Sequence, residues 1–229
     1  MTTLFLVRHG QAGALDGQYD ILSELGWTQA ERLGNAWSKR GLALDEVWCG
    51  TLQRQKLTLD ALSPAIRKAA PVWHDPALDE LPFEQLATQF SAQYPDHSAA
   101  SHWTKANDKA GFKALMEHAI SAWQCDQLDG VEPVWSTYRS ALANWLEGRR
   151  LAATDDGTLL AISSAGSISL LLAIALDLPD AAMSKFNSQL FNTAVSALHL
   201  TANGETRLLL YNSVAHLEDP VAPELITTL

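Results

Sequence analysis

The sequence has few of the residues that disulfides, zinc sites and nucleic acids require. Its 229 residues include only two cysteines, Cys49 and Cys125, with no CxxC spacing. That excludes a disulfide framework and argues against a zinc ribbon. The seven histidines include no HExxH pair: His74, His97, His102, His118 and His199 stand apart, so no metal site is expected. Lys and Arg number 16 against 26 Asp and Glu, a formal charge of -10, and no basic run occurs. Nucleic acid needs a basic face to neutralise its phosphates, so it is excluded as a partner. Met1 to Val7 lacks the basic start and length of a secretory leader, which reads as a protein of the reducing cytoplasm. There is no Walker loop, no GxGxxG fingerprint, no internal repeat and no low-complexity tract.

What is present suits a buried core. Hydrophobic residues make up 47% and charged residues 18%, an ordinary globular balance. Thr158 to Leu176 carries no charge and is long enough to imitate a membrane span. It breaks at Ser163-Ser164-Ala165-Gly166-Ser167, however. The expected structure is a buried strand, a tight turn and a buried helix, and no membrane partner follows.

Apolar periodicity alternates between strand and helix. Thr3 to Val7, Glu46 to Cys49, Pro71 to His74 and Leu159 to Ile162 read as strands. His9 to Leu22 reads as loop. A capping box of Thr28 and Glu31 predicts a helix running to Arg40, with Gly41 as its stop. Leu52 to Ile66, Val134 to Arg150 and Ser167 to Leu176 have helical spacing. Ala194 to Leu200 and Arg207 to Tyr211 form a hairpin through Ala202-Asn203-Gly204, and the last residues read as a tail. Between Pro82 and Pro133 strand signals vanish, and Trp103, Phe112, Met116, Ile120 and Trp123 recur at helical spacing. The expectation is an α/β fold of three layers, α/β/α. Its sheet is mostly parallel, with an antiparallel strand near the C-terminus. Residues 1–229 form one domain, and residues 82–133 a helical cap inserted within it.

The strongest chemical signal is Leu6-Val7-Arg8-His9-Gly10-Gln11. Ligands of open α/β sheets bind beyond the carboxyl ends of parallel strands, where this tripeptide falls. There an imidazole can act as nucleophile and a guanidinium can hold two phosphate oxygens. Gly10 allows the backbone a close approach. A bare RHG tripeptide is more often a surface His beside a surface Arg, because short motifs match by chance.

In context, the motif resembles the signature of the histidine phosphatase superfamily, which includes phosphoglycerate-mutase-like enzymes. Leu22-Ser23-Glu24-Leu25-Gly26 with Gln29-Ala30, Gly50-Thr51-Leu52-Gln53-Arg54, Leu78-Asp79-Glu80-Leu81, Ile162 to Ile168 and His216-Leu217 follow in that family's order. The resemblance implies catalytic roles for His9, as the transiently phosphorylated nucleophile, and for Glu80, as acid and then base. It implies phosphate binding by Arg8 and Arg54. The substrate would be a small phosphorylated molecule, and the reaction would need neither metal nor cofactor. Glu84 is the fallback acid.

The sequence departs from the family where the second histidine belongs, at Ser164. A hydroxyl donates one hydrogen bond but brings no positive charge. Loss of one charged donor costs roughly 10²–10³ in rate. The amides of Ala165 and Gly166, at a helix N-terminus, are expected to offset part of it. Two functions remain open: a working phosphomonoesterase with a serine variant of the pocket, and a phosphate-binding protein with impaired turnover. A mutase is disfavoured, because Lys105, Lys109 and Lys113 read as a solvated face and not as a clamp for a second phosphate. His216 reads as structural, and nothing selects an oligomeric state.

Overall fold

The computed structural model describes residues 1–13, 18–62, 70–102, 109–201, 205–219 and 222–228. Among these, six strands form one sheet: β1 (Thr2–Arg8), β4 (Glu46–Cys49), β5 (Val72–His74), β6 (Thr158–Ser163), β7 (Val195–Leu200) and β8 (Thr206–Ser213). Their order is β5-β4-β6-β1-β7-β8. The pairs β5/β4, β4/β6 and β6/β1 are parallel, while β7 runs antiparallel to both β1 and β8. The strand against the grain is therefore in the C-terminal hairpin, as the sequence pattern predicts. The hairpin's turn residues lie outside the described set.

Alternate residues of the central strands enter two cores, the consequence of a period of two in a sheet covered on both faces. Leu4, Leu6, Leu159 and Ala161 pack with Leu142 and Leu146 of α5 (Trp135–Leu151) and Leu170 and Leu171 of α6 (Ala165–Ala175). Val7, Leu160 and Ile162 pack on the other face with Leu33 and Trp37 of α1 (Glu24–Lys39) and Leu59 of α2 (Gln53–Ala61). The charge-free run from Thr158 to Leu176 is thus β6 and α6. Among the described residues no helix is long and apolar enough to cross a membrane.

Several boundaries differ from those expected. α1 begins one turn before Thr28, because the Ser23 side chain accepts from the Gly26 amide and caps the helix there. Thr28 Oγ1 instead donates back to Glu24 O from within the helix. The stretch after His9 is not all loop: β2 (Ala12–Gly13) and β3 (Gln18–Leu22) pair antiparallel. α2 stops at Ala61, and Ile66 falls outside the described residues. The C-terminal residues are no free tail. Leu225 is buried, and Gln29 Nε2 donates to Leu225 O at 2.8 Å and to Thr227 Oγ1 at 2.9 Å.

Between Pro82 and Pro133 lie α3 (Phe83–Gln93) and α4 (Lys109–Gln124). Leu86, Phe90, Leu115 and Trp123 from these helices join Trp135, Tyr138 and Leu142 of α5 in one core. The short helix α7 (Ala182–Asn187) packs beside α6.

Candidate active site

β1 delivers Arg8 and His9 to the carboxyl end of the parallel strands, where both are 5% exposed. Gly10 then meets the first turn of α1 so closely that a Cβ on it would collide with Gly26 O, and a Cβ on Gly26 would collide with Gln11 O. Glycine at both positions lets the loop lie flat on the helix. His9 is gripped by its own backbone: Thr193 N donates to Arg8 O at 3.1 Å, and Asn192 Nδ2 donates to His9 O at 3.2 Å. Asn192 is in turn tied to Thr227, whose Oγ1 donates to Asn192 Oδ1 at 2.9 Å.

The His9 ring is oriented at both nitrogens. Nδ1 lies 2.7 Å from Gly10 O, and because a carbonyl can only accept, Nδ1 carries the proton. Nε2 therefore keeps a lone pair, and it accepts from Arg54 Nε at 3.2 Å. Burial, followed by the charges of Arg8 and Arg54, pushes the His9 pKa well below the ordinary histidine value, while the Gly10 carbonyl opposes that shift. The imidazole is thus neutral at neutral pH, the form a nucleophile needs.

Arg54 sits in the first turn of α2. No side chain of α2's N-cap residue, Leu52, can cap the helix, and two aspartates do so from elsewhere. Asp20 Oδ2 accepts from Gln53 N at 3.0 Å, and its Oδ1 holds Arg54 Nη1 at 2.9 Å. Asp79 accepts from the amides of Thr51 and Leu52. Arg8 Nη1 donates to Leu190 O at 2.5 Å.

Glu80 follows directly on Asp79. Its backbone neighbours are clamped by the β6–α6 turn: Ser163 Oγ donates to Leu78 O at 2.7 Å, and Ser167 Oγ donates to Asp79 O. Glu80 Oε1 accepts from Leu81 N and Gly166 N, each at 3.0 Å. Burial raises the Glu80 pKa, and the Arg54 charge and these amides oppose it. The Gly166 amide, expected to face the phosphate, is given to Glu80 instead.

Arg8, His9 and Glu80 line one cavity of about 270 Å³, and Arg54 joins them through His9. Ser164 is brought to the same end of the sheet but is fully enclosed, and its neighbour Ala165 lines the cavity. Ser164 Oγ accepts from Gln55 Nε2 at 2.9 Å. Lys113, expected on a solvated face, is exposed and also borders the cavity. Lys105 and the side chain of Lys109 are outside the described residues. Glu84 is not among the cavity's lining residues. His216 shares a hydrogen bond of 2.9 Å with Thr193 Oγ1 and borders a different cavity with Leu33 and Trp37. Its pKa is pushed down to about 4, by burial first and then by Arg32. Among the described residues no cluster of three or more His, Cys, Asp or Glu could hold a metal, and both cysteines are free.

Sequence reasoning missed Asp20, Gln55 and Asn192. No local pattern marks them, because each acts on a residue distant in the chain.

The family model of the histidine phosphatase superfamily, branch 1, matches residues 4–213. No curated protein matches the sequence. Among solved structures, the α-ribazole phosphatase from Shigella flexneri superposes with a TM-score of 0.63 at 22% identity, covering 93% of this chain and 97% of that one. The phosphoserine phosphatase from Entamoeba histolytica, in complex with 3-phosphoglyceric acid, gives 0.61 at 19% identity, covering 95% and 100%. A mycobacterial glucosyl-3-phosphoglycerate phosphatase gives 0.53 at 22%, covering 92% and 98%.

Proposed function

The chain belongs to the histidine phosphatase superfamily, and from that premise we propose that it is a metal-independent phosphomonoesterase working through a phosphohistidine on His9. The observation that carries this reading is the His9 ring: Nδ1 protonated against Gly10 O, and Nε2 with its lone pair beside Arg54. A phosphoryl group entering between Nε2 and Arg54 takes over the guanidinium as an oxygen ligand. Nε2 then attacks phosphorus, the P–O bond to the alcohol breaks, and Glu80 gives its proton to the departing oxygen. In the second step the Glu80 carboxylate takes a proton from water, the water oxygen attacks phosphorus, and the N–P bond breaks to return neutral His9. Arg8 and Arg54 bear the charge of the equatorial oxygens. Burial of Glu80 supports the acid role, since it favours the protonated form. The helices between Pro82 and Pro133 serve as the cap, and a small phosphorylated molecule is the substrate.

Ser164 stands where the family's second histidine belongs. Its Oγ accepts from Gln55, so its own proton remains as a donor, a single neutral donor in place of a charged one. The neutral, buried hydroxyl of Ser164 supports the second reading, a phosphate-binding protein with impaired turnover. Hydrolysis of a phosphomonoester panel in EDTA separates the two. Turnover by the wild type that is lost in His9→Ala, with an acid-labile phosphoenzyme trapped in the wild type alone, supports the phosphatase. A wild type that binds phosphate but neither turns over nor becomes labelled sinks it.

A further inference from the structure

The cavity beyond the phosphate end is walled by apolar side chains. Phe112, Met116 and Ile120 recur every four residues along α4 and so share one face. Leu81, Phe83 and Leu190 complete the wall. Of the ionisable residues lining the cavity among the described residues, Arg8, His9 and Glu80 belong to the reaction, leaving Lys113 and Glu117. Those two are exposed, one helical turn apart and of opposite sign, so they add no net charge. The remaining polar contributions, Ser184, Asn187, Ser188 and Thr228, are neutral. Asp20 already pairs with Arg54. Arg8 and Arg54 suffice for one phosphoryl group, and a chain of formal charge -10 repels any further anion. The cavity volume of about 270 Å³ lies near the lower end for small-ligand sites.

Building on the phosphatase reading, we propose that the substrate is the monophosphate of a small, uncharged alcohol with an apolar, aromatic or branched body, not a phosphorylated hydroxy acid, amino acid or bisphosphate. The apolar body lies against Phe112, Met116 and Ile120, and its far end meets the neutral polar groups of α7.

The test compares 2-phenylethyl phosphate with O-phosphoserine and 3-phosphoglycerate, all esters of aliphatic alcohols. Wild-type kcat/KM is expected to favour the phenylethyl ester by about tenfold or more, the scale of discrimination by an apolar pocket. Phe112→Ala should erase most of that preference. Glu117→Lys should raise the ratio of kcat/KM for 3-phosphoglycerate to that for the phenylethyl ester about tenfold. Equal or greater turnover of the carboxylated esters by the wild type overturns the proposal. Calorimetry with the non-hydrolysable 3-phenylpropylphosphonate and 3-phosphonopropionate gives an answer independent of catalysis. Tighter binding of the aromatic phosphonate without turnover of any ester would keep the ligand class and remove the phosphatase reading. Equal binding, or a preference for the carboxylated phosphonate, would remove the ligand class itself.

Discussion

Placing a histidine at position 164 is a test of how the pocket is built. Ser164 and Gln55 are both fully buried and bonded to each other at 2.9 Å. Gln55 Nε2 also donates to Leu78 O at 2.9 Å, and its Oε1 accepts from Leu52 N at 3.2 Å. The amide has no room to retreat toward Gly50, where even a Cβ would collide with it. An imidazole at 164 must therefore displace Gln55. Overpacking costs about 1–3 kcal/mol, and each hydrogen bond lost from Gln55 adds about 1 kcal/mol. At about 2–4 °C per kcal/mol for a chain of this size, Ser164→His should lower Tm by roughly 10–20 °C and recover little activity. Gln55→Ala vacates the space, and Leu78 O keeps its bond from Ser163. The double variant should then melt higher than the sum of the single effects predicts, with a coupling of about 1–3 kcal/mol. It should turn over about 10²–10³ times faster than Gln55→Ala alone, the worth of one charged donor at the transition state. Thermal melts and kcat on one ester across the four proteins check both halves. Melting effects that add within about 0.5 kcal/mol would refute the competition for space. A double variant no faster than Gln55→Ala would refute the idea that position 164 faces the phosphoryl group.

Asp20→Asn should lower kcat/KM about tenfold, the loss of roughly one charge-assisted hydrogen bond at a partly exposed site, because Arg54 loses its tether. Unchanged steady-state kinetics would show that Arg54 is held without it. Glu80→Gln should lower turnover by at least about 10²-fold yet raise Tm at pH 8. The folded-state pKa of Glu80 lies above its unfolded value, so its stabilising contribution is full at low pH and declines as pH rises through the folded value. The two proteins' melts should converge near pH 4, and a Tm difference that fails to grow with pH would contradict this. In kcat/KM, with substrate ionisation measured separately, the acid limb should reflect protonation of His9 and fall below pH 6.5, since burial and two arginines depress its pKa. The alkaline limb should reflect loss of the Glu80 proton. For His9 the stability effect has the opposite sign to that of Glu80: the unfolded chain takes up the proton first, so stability falls as pH drops below 6.5. An acid limb centred at or above pH 6.5 would refute the assigned environment of His9.

Periodicity made the layers readable. Leu159 to Ile162 alternate between two cores because a doubly covered strand must be apolar on both faces. The antiparallel C-terminal hairpin was equally visible in its strand pattern. The start of α1 was misplaced because Thr28 and Glu31 offer a local capping box, whereas Ser23 caps the helix one turn earlier and Gly26 inside it admits the Gly10 loop. The C-terminal residues looked like a tail because their anchors, Gln29 and Asn192, are distant in sequence.

The site divides in the same way. Arg8 ends a buried strand and His9 follows it, so chain order alone carries them to the edge where ligands bind. Local spacing also suffices to mark Ser164 as the turn before a helix. The rest depends on contacts across long stretches of chain: Asp20 with Arg54 over 34 residues, Glu80 with Gly166 over 86, and Gln55 with Ser164 over 109. Sequence by itself determined the strand and helix periods and the motifs that mark Arg8, His9 and Glu80 as candidates, which are local properties. Only the tertiary structure decided which partner orients Arg54, where the α6 amide is spent and what fills the space beside Ser164. Those outcomes arise when folding packs separate segments together and each buried polar group must find a partner.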